Sequence, residues 1–394
     1  MSRKVVHLTS VHGAYDTRIF HKQCRTLAHR GYRVVLIVPH PQHEQRENVQ
    51  IRAVPLRFSR WARMTKTVRD VYRAACEEDG ELYHFHDPEL IFVGLLLKLR
   101  GKKVIYDVHE DVPRQILSKH WIKPWVRLLV AKAAEAVEAA GARWFDAIVT
   151  VTDKIAGRFP HEKTWLVQNF PMLEEFVQQA GDHSGEKEEA IAFIGDISMI
   201  RGVKETVEAL ALLPQGSPVR LKLAGRLVPP ELEQKFAAMP GWERVDYLGW
   251  LSRDQVRQML TRVRCGIVPY QAVPNYTDAQ PNKLFEYMAA GLTVIASDFP
   301  RWREFVAGAN CGVLIPPENG AAIAEAIQSL WDEPEAARAM GERGRRVVEE
   351  RCHWEAEANV LIALYQQLLP IVREERREGA DESAKNLDFG SPYG

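Results

Sequence analysis

The sequence predicts an α/β protein of two doubly wound, mostly parallel sheets, followed by C-terminal helices. Three observations predict it. Short β-branched runs alternate with helix-period segments, as parallel strands joined by helical crossovers require. The alternation breaks once and then restarts. The 394 residues exceed one small core and suit two domains of roughly 150–200 residues.

In chain order, KVVHLTS reads as a strand, residues 17–29 as a helix, RVVLIVP as a strand and residues 61–76 as a helix. LYHFHD, a helix opening PELIFVG, KKVIYDVH, a long helix over 123–143, then AIVTVT and TWLVQNFP complete one unit. The polar stretch EEFVQQAGDHSGEKEEA after Pro171 is poor in β-branched residues and marks a boundary. It divides the chain into domains 1–172 and 173–372. The second unit alternates IAFIGD, VRLKLAGR, VDYLGW, CGIVPY, TVIASD and GVLIPP with helical segments, and helices dominate from 321 to about 370. The tail 373–394 is polar and reads as disordered.

Apolar residues make up 46% and charged residues 26%, ordinary for a soluble globular chain. Five scattered cysteines without C-x-x-C spacing read as reduced thiols in a cytoplasmic protein. The N-terminus lacks a leader pattern, and the apolar run LIFVGLLLKL falls short of the roughly 20 residues that span a bilayer. The zero net charge conceals an asymmetry: residues 1–172 carry 28 Lys+Arg against 18 Asp+Glu, the remainder 24 against 34.

The chemistry concentrates in DAQPNKLFEYMAAG, residues 278–291. Asn282 is a plausible N-cap, so the helix start offers free N–H groups and the positive dipole end to an anion. Lys283 adds a full charge. Glu286, three residues on, shares its face, while Leu284, Phe285 and Met288 can face the core. A nucleotide diphosphate fits, with phosphates at the helix start and ribose hydroxyls donating to Glu286; a solvated Lys–Glu pair fits the spacing equally.

With these residues in view, positions 1 to about 372 resemble glycosyltransferase family 4, retaining sugar-nucleotide-dependent enzymes of the GT-B fold, in which two Rossmann-like domains face each other. The resemblance implies a nucleoside-diphosphate-sugar donor, an acceptor hydroxyl, no further cofactor and no metal. It makes Glu286 the ribose ligand and Asp278, separated from it by seven residues, the residue standing where the family has a glutamate on the donor sugar. Asn282, Leu284 and backbone around Leu251 join the donor contacts. Arg201, before Gly202 in FIGDISMIRGVKE, matches a diphosphate-binding lysine, while Asp196 replaces a usual arginine; Lys283 and Arg226 are candidates for the missing charge. Gly13 in SVHGAYDTRIF matches a glycine loop beside the donor phosphates, and His109 in VIYDVHED a histidine near the transferred sugar.

Within YHFHDPEL, His84 and His86 alternate onto one strand face beside Asp87, yet no second cluster at zinc-like spacing accompanies them, and no metal is assigned. Neither early turn carries G-x-G-x-x-G, which weighs against a dinucleotide oxidoreductase. Arg57, Arg60, Arg63, Lys66, Arg69 and Arg73 beside Trp61 and Met64, and Trp121 and Trp125 around Lys123, suit an anionic membrane surface. A lipid-linked or carbohydrate acceptor at the inner face of the membrane follows as an expectation, and nucleic acid is not expected. A sugar-nucleotide epimerase or hydrolase, or a non-catalytic donor-binding partner subunit, stands as the alternative.

Overall fold

A computed structural model of the protein describes residues 2–119, 122–177, 187–274 and 276–371. The tail 373–394 and Trp121 lie outside the described residues, as does much of the boundary stretch.

The first sheet has eight strands: β1 (Lys4–Leu8), β2 (Arg33–Pro39), β3 (Glu44–Arg46), β4 (Val49–Val54), β5 (Leu82–Phe85), β6 (Lys103–Val108), β7 (Ala147–Thr150) and β8 (Thr164–Leu166). Their spatial order is β3-β4-β2-β1-β5-β6-β7-β8. All pairs are parallel except β3 with β4. That edge hairpin escapes the sequence reading, although Glu47 and Asn48 at φ 49° and 62° form the left-handed pair a tight hairpin turn demands.

The second sheet comprises β9 (Ala190–Ile194), β10 (Arg220–Ala224), β11 (Val245–Gly249), β12 (Cys265–Val268), β13 (Thr293–Ser297) and β14 (Gly312–Ile315). It is parallel throughout, in the order β11-β10-β9-β12-β13-β14. In both sheets the strand order reverses beside the first strand, so loops at the strand C-termini open a crevice.

Each sheet is covered on both faces. The period of two sends Val6 and Leu8 to one core with Phe85, Leu97 and Phe145, and Val5 to another with Ile105 and Val149. This second core contains Trp354, Leu361, Leu364 and Tyr365, from the helix Trp354–Leu368. The last helix therefore packs on the first sheet, which corrects the assignment of 173–372 as a whole to the second domain. The reason is apolar surface: one face of the first sheet needs a cover, and this helix supplies it.

Candidate active site

The helix Asn282–Ala289 sits at the crevice because its apolar side is locked down. Leu284, Phe285 and Met288 are fully buried, and the Tyr287 hydroxyl accepts a 3.0 Å hydrogen bond from the Ile194 N–H of β9. Two placements differ from expectation. Pro281, not Asn282, is the N-cap, and no side chain caps the start; proline's fixed φ suits the entry, and the leading N–H groups stay available. Leu284 belongs to the core, so its side chain cannot line a donor site.

Two cavities meet at this helix start. One, of about 440 Å³, lies between the domains and is lined by His109, Arg114 and Lys154 from the first domain and by Arg201, Asp278 and Lys283 from the second. The other, of about 240 Å³, is lined by Gly195, Trp250, Leu251, Arg253 and Glu286. Asn282 and Lys283 line both.

Lys283 makes no hydrogen bond or ion pair among the described residues. Its side chain lies over Gly195, where φ is +100° and a Cβ would collide with it; the Arg201 guanidinium would stand 3.5 Å from the same Cβ. Two cations thus converge on one glycine. Arg201 is oriented by Asp196, whose carbonyl accepts from it at 3.1 Å and whose carboxylate lies 3.5 Å away. Tyr276 accepts from its Nε at 3.4 Å, and the guanidinium lies 5.9 Å from the Tyr270 ring centroid. The acidic residue in place of the expected cation is therefore the support of the remaining one.

Glu286 has no hydrogen-bond partner for its carboxylate among the described residues, although the fields of Lys22 and Arg253 reach it. Arg253 itself bridges domains, donating to Thr17 at 3.0 Å and to Glu175 at 3.1 Å. Asp278 lines the larger cavity but pairs with Lys154 and lies 3.8 Å from Arg114, both in the first domain. Its short arm faces the opposite domain.

Two further predicted contacts fall away from the cavities. Arg226 is exposed and lines neither; Gly225, at φ +153° and too close to the Gly195 carbonyl for any Cβ, turns the chain before it. Gly13 is exposed with open space around it, so the fold itself does not require glycine there.

Opposite the helix, His109 follows β6 and lines the interdomain cavity. Its Nε2 is 3.2 Å from the Nε2 of His12, and its Nδ1 is buried without a partner. Burial, helped by the charges of His12 and Arg18 and opposed by that of Asp107, presses its pKa below the usual range. His12 behaves oppositely: burial opposes its charge, but the pairing with Asp16 and the fields of Asp87 and Glu110 hold it up to about 9.

Behind His109 the strand period places His7, His84, His86 and Asp107 on one face. His86 Nδ1 meets Asp107 at 3.1 Å, His7 meets His86 at 3.0 Å, and Tyr365 meets His7 and His84 at 3.0 and 2.9 Å. Arg18 donates to both Asp107 oxygens at 2.9 and 2.8 Å, and Gln23 adds a third bond. Burial alone would raise the Asp107 pKa, yet the Arg18 guanidinium holds it well below the carboxylate range. Most of the nitrogen and oxygen atoms in this chain are engaged by one another, whereas His84 Nε2 and His109 Nδ1 are buried without a partner.

Sequence reasoning missed Lys154, Arg114, Tyr276 and Arg253. Only Arg253 left a local signal, the Ser252–Gln255 capping box that starts its helix.

Comparison with known proteins gives the family and the fold. Residues 177–347 match the model for glycosyl transferases group 1, and residues 17–163 match that for Glycosyltransferase Family 4. The chain is 22% identical over 315 residues to the MMP alpha-(1->4)-mannosyltransferase of Mycolicibacterium hassiacum, covering 74% of this chain and 72% of that one. Sucrose-phosphate synthase from Thermosynechococcus elongatus superimposes with a TM-score of 0.73 at 20% identity, over 93% of this chain and 99% of that one. Anabaena HepE, solved in complex with UDP-glucose, gives 0.68 at 14% identity, over 92% and 99%. The fold is thus GT-B, and with a family model matched on each domain the chain belongs to the group 1 glycosyltransferases of family 4.

Proposed function

We propose that this glycosyltransferase moves a sugar from a nucleoside diphosphate to an acceptor hydroxyl with retention of anomeric configuration, using no metal and no further cofactor. The observation that carries the reading is the junction of the two cavities at Asn282 and Lys283. A pyrophosphate laid across it reaches the free helix N–H groups, Lys283 and Arg201. The nucleoside then occupies the smaller cavity, with Trp250 and Leu251 beside the base and the unpaired Glu286 accepting from the ribose. The sugar points into the interdomain cavity toward His109.

Charge develops on the leaving diphosphate, and preorganised cations in a cleft that excludes water stabilise it without reorganisation. Two such cations supply what a divalent ion supplies elsewhere. The leaving phosphate is the base for the acceptor hydroxyl on the same face. Asp278 is held by Lys154 and Arg114, so any contact to the sugar follows movement of that pair.

The acceptor side extends from His109 through a groove of about 440 Å³ past Ile116 and Lys119 to Phe58, Arg60 and Arg63. Phe58, Trp61 and Trp125 are 100%, 79% and 67% exposed; Leu128 and Leu129 are exposed too. No helix among the described residues is long and apolar enough to cross a membrane. An outward basic and aromatic surface at the mouth of this groove favours a lipid-linked acceptor presented by an anionic membrane. Surface-glycan or glycolipid assembly at the inner membrane face is the setting that matches.

Thermal-shift measurements with UDP-, GDP-, ADP- and dTDP-sugars test the donor, because ligand binding raises apparent stability by mass action. One donor class stabilises the native protein and loses that effect in Lys283→Ala and Glu286→Ala. Equal shifts in the native protein and both variants remove the junction from the mechanism.

A further inference from the structure

The segment HGAYD, residues 12–16, has no role in the donor site above, and its two polar ends meet at a single ring. His12 lies with Nδ1 3.4 Å from Asp16 and Nε2 3.3 Å from Asp87. Both carboxylates are fixed by other bonds. The second oxygen of Asp16 caps the helix Thr17–Cys24, accepting from the N–H groups of Arg18 and Ile19 at 2.9 and 3.0 Å. The second oxygen of Asp87 accepts from Thr9, from the Ser10 N–H and hydroxyl, and from the Val11 N–H. A ring flanked on both nitrogens by acceptor-only groups carries a proton on each.

The consequence falls on His109. The two Nε2 atoms are 3.2 Å apart, and one proton serves that contact. Since His12 must donate, His109 Nε2 must accept, and a neutral His109 then bears its proton on Nδ1. That atom is buried and unpartnered on a residue lining the interdomain cavity.

We propose that His12 is a positioning residue: as an imidazolium clamped between Asp16 and Asp87, it holds His109 as the neutral Nδ1–H tautomer, whose one N–H donor, buried in this conformation, meets an oxygen of the transferred sugar once donor binding uncovers it. The adjacent cation also keeps His109 from taking up a proton from the acceptor. His109 orients and does not act as a base, which agrees with assigning that role to the leaving phosphate. The chemical role rests on the transferase reading; the tautomer does not.

Histidine-selective ¹⁵N labelling of the full chain without ligand reads the tautomer directly through ring-nitrogen shifts. At pH 7 the expected spectrum shows His12 protonated on both nitrogens and His109 on Nδ1 alone. His12→Ala releases His109 to a mixture of tautomers and lowers kcat at least about tenfold with little change in donor KM. His12→Gln, which retains an N–H donor, restores the Nδ1–H form and part of the rate. A native His109 that is Nε2-protonated or cationic overturns the proposal, as does a His109 spectrum unaltered in His12→Ala. A chain that turns over no nucleotide sugar but shows the expected tautomer fails the transferase reading and leaves the clamp standing.

Discussion

At the scale of single residues, the junction depends on Lys283 and on the glycine beneath it. Lys283→Ala removes one preorganised cation from the leaving diphosphate, and turnover should fall about 10²–10³-fold with acceptor KM nearly unchanged; steady-state kinetics with saturating donor checks this. Gly195→Ala should do similar damage by another route. Its added methyl displaces Lys283 and its φ of +100° strains an alanine, costing more than about 1 kcal/mol of stability, so both the rate and the urea midpoint should drop.

Protonation of His12 has a thermodynamic signature. Its folded pKa of about 9 lies above the unfolded value near 6.5. The stabilisation is therefore complete below about pH 6.5 and disappears as pH rises through 9, for a total of up to about 3 kcal/mol. Lys22, buried against Asn169 and lowered to about 7 chiefly by burial, works the other way: its penalty is full below pH 7 and fades as pH climbs towards 10.5. The total curve mixes the two. The difference between native protein and His12→Gln cancels Lys22, and that difference should shrink between pH 6.5 and 9.5 in urea titrations. The groups around the ring are Asp16, Asp87 and Glu110 and, at 3.2 Å, His109; a pH-independent difference would mean that they do not hold a cation.

At the scale of elements, the helix Trp354–Leu368 is tied to the first sheet. Tyr365 is fully buried and bonded to two histidines on neighbouring strands. Tyr365→Phe keeps the packing and leaves two buried nitrogens short of a partner, a loss of about 1–3 kcal/mol measurable by urea denaturation. Arg18→Ala is harsher, since it strands the Asp107 carboxylate in the core; about 3–5 kcal/mol is expected. The strands and most helices were legible because hydrophobic period and β-branching mark them locally. The β3–β4 hairpin was passed over because its alternation is weak and polar. The cap falls at Pro281 although asparagine favours caps generally, because proline's fixed φ sets the entry here.

At the scale of the whole molecule, the domains meet through polar contacts: Asp278 with Lys154 and Arg114, Arg301 with Asp153 at 3.4 Å, and Arg253 with Thr17. The partially exposed pairs are screened by salt and contribute about 0–1 kcal/mol each, so the cleft is held lightly enough to open for substrates. Distance measurements between dyes on the two domains should show Lys154→Ala or about 0.5 M salt shifting the population towards an open form, by less than about tenfold. An unaltered distance distribution would assign closure to the packing around residues 170–176 and 354.

The sequence by itself determined two α/β units, the helix start with Lys283 and Glu286, and the family, because periodicity, caps and motifs are encoded within a few neighbouring residues. Only the tertiary structure decided that the last helix covers the first sheet, that Leu284 is core and Arg226 lies outside the cavities, that Asp196 supports Arg201, and that Asp278 reaches across the cleft. It also brought His12, Asp16, Asp87 and His109 to one point. Such contacts join residues up to hundreds of positions apart, and their partners are chosen by sheet order and domain packing, which no local pattern contains.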